Sequence, residues 1–452
     1  MSRVRLAALL AGATMLTGVA AVAQEAAPAP TGPVTLVHAG SLLDRPGTAP
    51  RGNATLVIRD GKVAEVRDGF VQPADIGAAD ARVVDLKSAF VLPGLIDVHV
   101  HLAGQLGPND QLRDVVDDRE DLALNGAYYA EKTLQAGFTT VRDLGAGGRS
   151  ILSLREAIEA GRLPGPTVLA VGHMVSISAG HGDRANGWNH EVAEALATSD
   201  VCNGPDDCRR AVREQVRLGA DAIKLATTGG VLSQIAAGTG QQMFDDEIKA
   251  IVETAHLLGK KVSSHAHAAG GVNAALRAGV DSVEHGSYLD EESIKLFRQT
   301  GAYLVPTLLA GQTVVDMANK GGLTPATRRK ALTVGPVMMQ SFQKAVKGGV
   351  RIAFGTDNGV GPHGTNAREF KLMVDAGLPP AEAIKAATVN AADLLDRKDR
   401  IGTLEPGRDA DIIAVAKSPL DDVTELERVR FVMRRGVVHK LNGERVVFQP
   451  VP

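Results

Sequence analysis

Two imidazoles two residues apart, His99 and His101, close an apolar run that begins at Val91. In an extended chain such residues share a face, so both rings can reach one cation. A His-x-His pair alone is a weak signal, and its weight depends on what closes the other apolar runs. Lys224 stands in Ala222-Ile223-Lys224-Leu225, where an ordinary ammonium would be poorly solvated unless paired or modified. His265 follows Val262-Ser263-Ser264, His285 follows Ser282-Val283-Glu284, and Asp357 follows residues 352–356. Four imidazoles and one carboxylate suit a borderline cation such as zinc. Lys224 joins them if carbon dioxide converts its amine into a carbamate able to bridge two ions.

Such a set needs a scaffold that gathers many strand ends. Apolar strand-like runs at 91–96, 139–141, 167–170, 222–225, 262–264, 282–283, 303–305 and 352–354 alternate with helical stretches such as 246–258 and 271–278. That alternation predicts an α/β fold, a (β/α)8 TIM barrel over residues 91–402, whose chemistry collects at the carboxyl ends of the strands. A doubly wound open sheet is the alternative, but Gly145-Ala146-Gly147-Gly148 fails the dinucleotide fingerprint and reads as a loop. Residues 34–90 and 403–452 instead hold short alternating segments punctuated by Arg59-Asp60-Gly61, Arg435-Gly436 and Asn442-Gly443. These are hairpin signals, and the two ends together predict one small β-sandwich.

The stretches Gly94-Leu95-Ile96-Asp97-Val98-His99-Val100-His101, Ala222-Ile223-Lys224, His265-Ala266-His267, Val283-Glu284-His285-Gly286 and Phe354-Gly355-Thr356-Asp357 resemble the metal-dependent amidohydrolase superfamily. Their order and spacing are most similar to its Xaa-Pro dipeptidase and imidazolonepropionase-related branch, which includes hydrolases of ochratoxin A. Pro406-Gly407-Arg408-Asp409-Ala410-Asp411, at the re-entry into the sandwich, extends the likeness over nearly the whole mature chain. The resemblance implies two zinc ions, the first on His99, His101 and Asp357, the second on His265 and His285, with carboxylated Lys224 as the bridge. It implies an amide hydrolase in which the ions acidify a shared water while Asp357 moves the proton to the departing amine. The expected substrate is an acyl group joined to a C-terminal amino acid, as in Xaa-Pro dipeptides, N-acyl amino acids or ochratoxin A. A cyclic amide or amidine is the enzymatic alternative, and a barrel that only binds is the non-enzymatic one.

His265 and His267 form a second His-x-His. His265 is favoured as the ligand because it directly follows the apolar strand, which leaves His267 to face substrate or to support the site. A substrate carboxylate needs a positive or hydrogen-bonding partner, and His181, Arg184 and Arg142 are the further candidates. Arg142, with Asp143 at a strand end, is read first as part of an internal salt bridge supporting the metal shell. His190, His256, His363 and His439 lack such companions and default to structural or surface roles. The resemblance also implies a homo-oligomer, up to an octamer.

Arg3 and Arg5, the apolar run 6–19 and Ala21-Val22-Ala23 have the three parts of a secretory signal over residues 1–23, with an Ala- and Pro-rich linker over 24–33. A periplasmic or secreted protein is expected, free of the membrane once processed. Cys202 and Cys208, the only cysteines, would then pair as a disulfide. A net charge of −3 without a basic block predicts no nucleic-acid partner; a small-molecule amide is the partner the resemblance implies.

Overall fold

The computed structural model describes residues 33–107, 110–233 and 238–451. The expected signal over 1–23 and the linker up to residue 32 lie outside them. Sixteen strands are present among the described residues. β1 (Thr35–Leu42), β2 (Ala54–Arg59), β3 (Lys62–Asp68) and β4 (Arg82–Pro93) come first. β5 (Leu95–Val100), β6 (Phe138–Asp143), β7 (Thr167–Ala170), β8 (Ile223–Ala226), β9 (Val262–Ala268), β10 (Ser282–Tyr288), β11 (Tyr303–Val305) and β12 (Arg351–Ile352) occupy the middle. β13 (Ile412–Val415), β14 (Phe431–Arg434), β15 (Val437–Leu441) and β16 (Glu444–Arg445) end the chain.

The terminal segments share one hydrogen-bonded sheet in the order β16-β15-β14-β13-β4-β1-β2-β3. Asp60-Gly61, Arg435-Gly436 and Asn442-Gly443 each take positive φ at both residues, the hairpin geometry that suits the right-handed twist of the flanking strands. The sheet folds back on itself: Val63 N donates to Arg408 O and Ala410 N to Gly61 O, although β3 and β13 stand four places apart in the order. Val37, Leu56, Val84, Ile412, Phe431 and Met433 fill the core between the two layers. The sandwich is therefore one bent sheet, with the long strand β4 as its fold line. β4 runs on to Pro93, so the barrel's first strand is β5 and not 91–96 as read from sequence. Gly94 makes the changeover, since a Cβ there would lie 2.1 Å from Thr139 Oγ1.

All pairings within β12-β11-β10-β9-β8 and within β5-β6-β7 are parallel. Backbone hydrogen bonds bridge both seams of this five-plus-three arrangement. Val98 N donates to Phe354 O and Asp357 N to His99 O on one side, while Val175 N donates to Lys224 O and Ala226 N to Val175 O on the other. The expected α/β barrel is thus the scaffold, with helices such as Asp245–Leu257 and Ala269–Ala278 between its strands.

Between β11 and β12 the crossover holds two helices, Leu308–Lys320 and Pro325–Lys347. They pack through glycine: a Cβ on Gly335 would lie 2.3 Å from Val315 Cγ2 and 3.0 Å from Gly311 O. Cys202 and Cys208 form the expected disulfide, with Cα atoms 4.9 Å apart, at the start of the helix Pro205–Leu218.

Candidate metal centre

The barrel brings His99 on β5, His101 just beyond it, Lys224 on β8, His265 and His267 on β9, His285 on β10 and Asp357 beyond β12 around one pocket. His99, His101, His267 and Asp357 lie at or beyond the carboxyl ends of their strands, His265 and His285 midway along theirs, and Lys224 is the second residue of β8. Among the described residues, two groups have donor atoms within 4.8 Å of one another: His265, His267 and His285, and His99, His285 and Asp357. His101 Nε2 adds to the second group, 3.3 Å from Asp357 Oδ1.

Hydrogen bonds aim four of these rings. His99 Nδ1 donates to Glu284 Oε2 at 2.9 Å, and His101 Nδ1 to the carbonyl of Gly145 at 3.0 Å. The Gly145 carbonyl can only accept, so His101 carries a hydrogen on Nδ1, and a hydrogen on His99 Nδ1 leaves the Nε2 of that ring facing the pocket. Thr307 gives its hydroxyl hydrogen to Pro306 O, so it accepts from His285 Nδ1 at 2.7 Å and fixes the same tautomer there. His267 Nδ1 meets Ser287 Oγ at 2.7 Å.

Deeper still, Glu284 Oε1 accepts from Arg142, Ser263 and Ser282. Asp97 accepts from the backbone of His99 and Thr356 and from the side chains of Thr356 and Asn366, tying together the two segments that carry His99 and Asp357. Sequence reasoning passes over Glu284, Asp97 and Thr307. His285, Thr307 and Asp357 all have positive φ, a conformation unfavourable outside glycine that concentrates at functional sites.

Burial governs the charges. It holds His99, His265 and His285 well below the ordinary imidazole range, and Lys224 down to about 8. Burial would raise the Asp357 carboxyl, yet His99 and His101 beside it keep it below its usual range. Burial would lower His101, yet Asp357 beside it instead raises that ring. Lys224 Nζ and His265 Nε2 are buried with no hydrogen-bond partner. Two orphaned nitrogens next to the neutral rings of His99, His265 and His285 and a carboxylate held below its usual range fit a cation-binding site, because nothing else present satisfies them.

The pocket has a cavity volume of about 200 Å³. Its floor is the cluster just described. Val314, Val334 and Met338 of the helical pair face it together with Val231 and Leu232 from the loop after β8. His181 lines it too, its ring centroid 4.0 Å from that of His265. Two expected substrate partners stand elsewhere. Arg142 is wholly buried beneath the site, bonded to Val98 O and paired with Glu284 at 3.0 Å, so it has no donor to offer a ligand above. Arg184 stands beside Gly147, outside the pocket wall.

Residues 90–440 match the model of the amidohydrolase family. The chain is 34% identical over 439 residues to an ochratoxinase of Aspergillus niger, covering 91% of this chain and 87% of that one. It is 26% identical over 427 residues to an imidazolonepropionase of Symbiobacterium thermophilum, covering 84% and 90%. A crystal structure of a Xaa-Pro dipeptidase with methionine bound in its active site superposes with a TM-score of 0.85 at 38% identity, over 90% of this chain and 100% of that one.

Proposed function

The chain belongs to the amidohydrolase family, and we propose that it hydrolyses the amide bond joining an acyl group to a C-terminal amino acid. The observation that carries this reading is the pocket, where a polar floor of seven ligand-type side chains meets an apolar wall. His99, His101 and Asp357 would hold one divalent ion and His265 and His285 a second, zinc in both cases, with Lys224 as a bridging carbamate. Its orphaned, desolvated amine supports that last role, since burial already disfavours the charged form. When bound, the two ions polarise the scissile carbonyl and raise the acidity of the attacking water.

The chain's own residues do the rest. Asp357, an ionised carboxylate, takes a proton from the water and passes it to the amine nitrogen as the C–N bond breaks. Glu284 and Gly145 keep the rings of His99 and His101 from rotating. Val314, Val334 and Met338 shelter the apolar part of the substrate and exclude water from it. His181 and His267, which face the pocket, take the polar end. The ochratoxinase relative and the dipeptidase with a bound amino acid point to the same bond type. Export through the signal at residues 1–23 belongs to the same proposal, and N-terminal sequencing of exported protein should find a start near Gln24.

The test is a panel of Xaa-Pro and other dipeptides, N-acyl amino acids, ochratoxin A and a cyclic imidazolone, offered to the zinc-loaded mature protein. Release of a free amino acid, abolished by a chelator, is expected. Turnover of the cyclic amide alone would move the assignment toward the imidazolonepropionase relative.

A further inference from the structure

Lys330 has no part in the site described so far, yet it ties three of its walls together. It lies on the helix Pro325–Lys347, one turn before Val334 and two before Met338. Its Nζ donates to Gly230 O and to Ser233 O, each at 2.6 Å. Val231 and Leu232, between those two acceptors, line the pocket. The Ser233 hydroxyl meets Nδ1 of His181, and Gly230 lies flat against the same ring: a Cβ there would stand 2.4 Å from His181 Nδ1. One polar chain therefore runs from the helix through the loop after β8 to the loop after β7.

A lysine on an outer helix ordinarily keeps its ammonium in water. Here burial pulls that group down to about 8, and two carbonyls replace part of its hydration. Such a desolvated cation is costly unless it holds something in place.

We propose that Lys330 is a positioning residue of the hydrolytic site: by holding residues 230–233 it fixes the Val231 and Leu232 wall and, through Ser233, the direction in which His181 meets substrate. The substrate half of this statement rests on the amide-hydrolase reading; the clamp itself rests on geometry. Lys330→Met keeps the stem and removes the donors. Lys330→Arg keeps donors for both carbonyls. Ser233→Ala releases His181 alone, and Gly230→Ala keeps the carbonyl that Lys330 holds but sets a Cβ against the His181 ring.

In zinc-loaded protein, Lys330→Met should leave metal content unchanged while amide hydrogen exchange at 231–233 rises about tenfold or more. KM for the best amide substrate should rise about tenfold, with kcat within about threefold of wild type. Lys330→Arg should recover most of the KM. Ser233→Ala should give a smaller rise and add little to Lys330→Met, because the two act in series. Unchanged exchange in Lys330→Met overturns the clamp whatever the kinetics do. Faster exchange with an unchanged KM overturns its role at the site. If wild type cleaves no amide, the functional reading fails, and calorimetric binding of free L-methionine takes the place of KM, with equal affinity in Lys330→Met overturning the positioning role. Should Lys330→Met not fold, Gly230→Ala carries the same comparison, and a KM equal to wild type overturns the proposal.

Discussion

At the scale of single residues, Asp357 separates chemistry from metal holding. Asp357→Asn keeps the volume and an oxygen but removes the basicity that accepts the water's proton. Its kcat should fall by about 10² to 10⁴ while the fold survives; a variant with full metal content that turns over within a few-fold of wild type would remove Asp357 as acid and base. The proposed ligands were legible because all but Lys224 follow apolar runs, and a barrel gathers such positions on one face. Glu284 was not. Strand alternation sets it on the face opposite His285, yet the left-handed backbone at His285 turns that ring back toward the centre, so two successive residues both point inward. Glu284 therefore answers to His99 and Arg142 from below. Glu284→Gln leaves Arg142 buried without its counter-charge and His99 with a weaker acceptor, and zinc affinity should fall about 10- to 100-fold. Competition against a chromophoric chelator reads this directly, and an unaltered affinity in folded variant would show that Glu284 serves Arg142 alone.

At the scale of elements, the hairpins were legible because Asp60-Gly61, Arg435-Gly436 and Asn442-Gly443 carry their own φ preference, whatever the strands pair with. The helical pair between β11 and β12 escapes the same reading. Gly311, Gly335 and Pro336 interrupt its pattern, and their sense appears only when the two helices touch. That pair builds the apolar wall, and its first helix begins on Glu369, whose carboxylate oxygens accept from Leu308 N at 2.8 Å and Leu309 N at 2.6 Å. Burial nonetheless pushes the Glu369 carboxyl up from its ordinary 4.5 to about 8. The folded state therefore binds a proton that the unfolded chain releases above about 4.5. The stability this group contributes is complete below 4.5 and is lost as pH rises toward 8. Glu369→Gln cannot titrate, so the difference in unfolding free energy between wild type and variant should shift against wild type across that window. Parallel pH curves in denaturant titrations would mean that the two amides keep Glu369 ionised throughout.

At the scale of the whole molecule, the site is assembled from segments as distant in sequence as His99 and Asp357, so cations held there bind the folded chain and find no equivalent in the unfolded one. His99, His265 and His285 are kept neutral by burial, which lets them receive an ion without first losing a proton. Without ions the fold must bury Lys224 Nζ and His265 Nε2 unsatisfied at its centre. Each ion present at 1,000 times its dissociation constant adds about 4 kcal/mol to the folded state. For a chain of this length each kcal/mol moves the melting temperature by roughly 2 °C or less, so stripping the two proposed ions should lower it by roughly 10 °C. Calorimetry of the chelator-treated protein, with zinc content measured in the same sample, checks this, and zinc added back with bicarbonate should restore the original transition if Lys224 must regain its carbamate. Zinc alone restoring it fully in carbon-dioxide-free buffer would remove the carbamate from the account, and a metal-free protein melting at the original temperature would show that the cluster is stable without any cation.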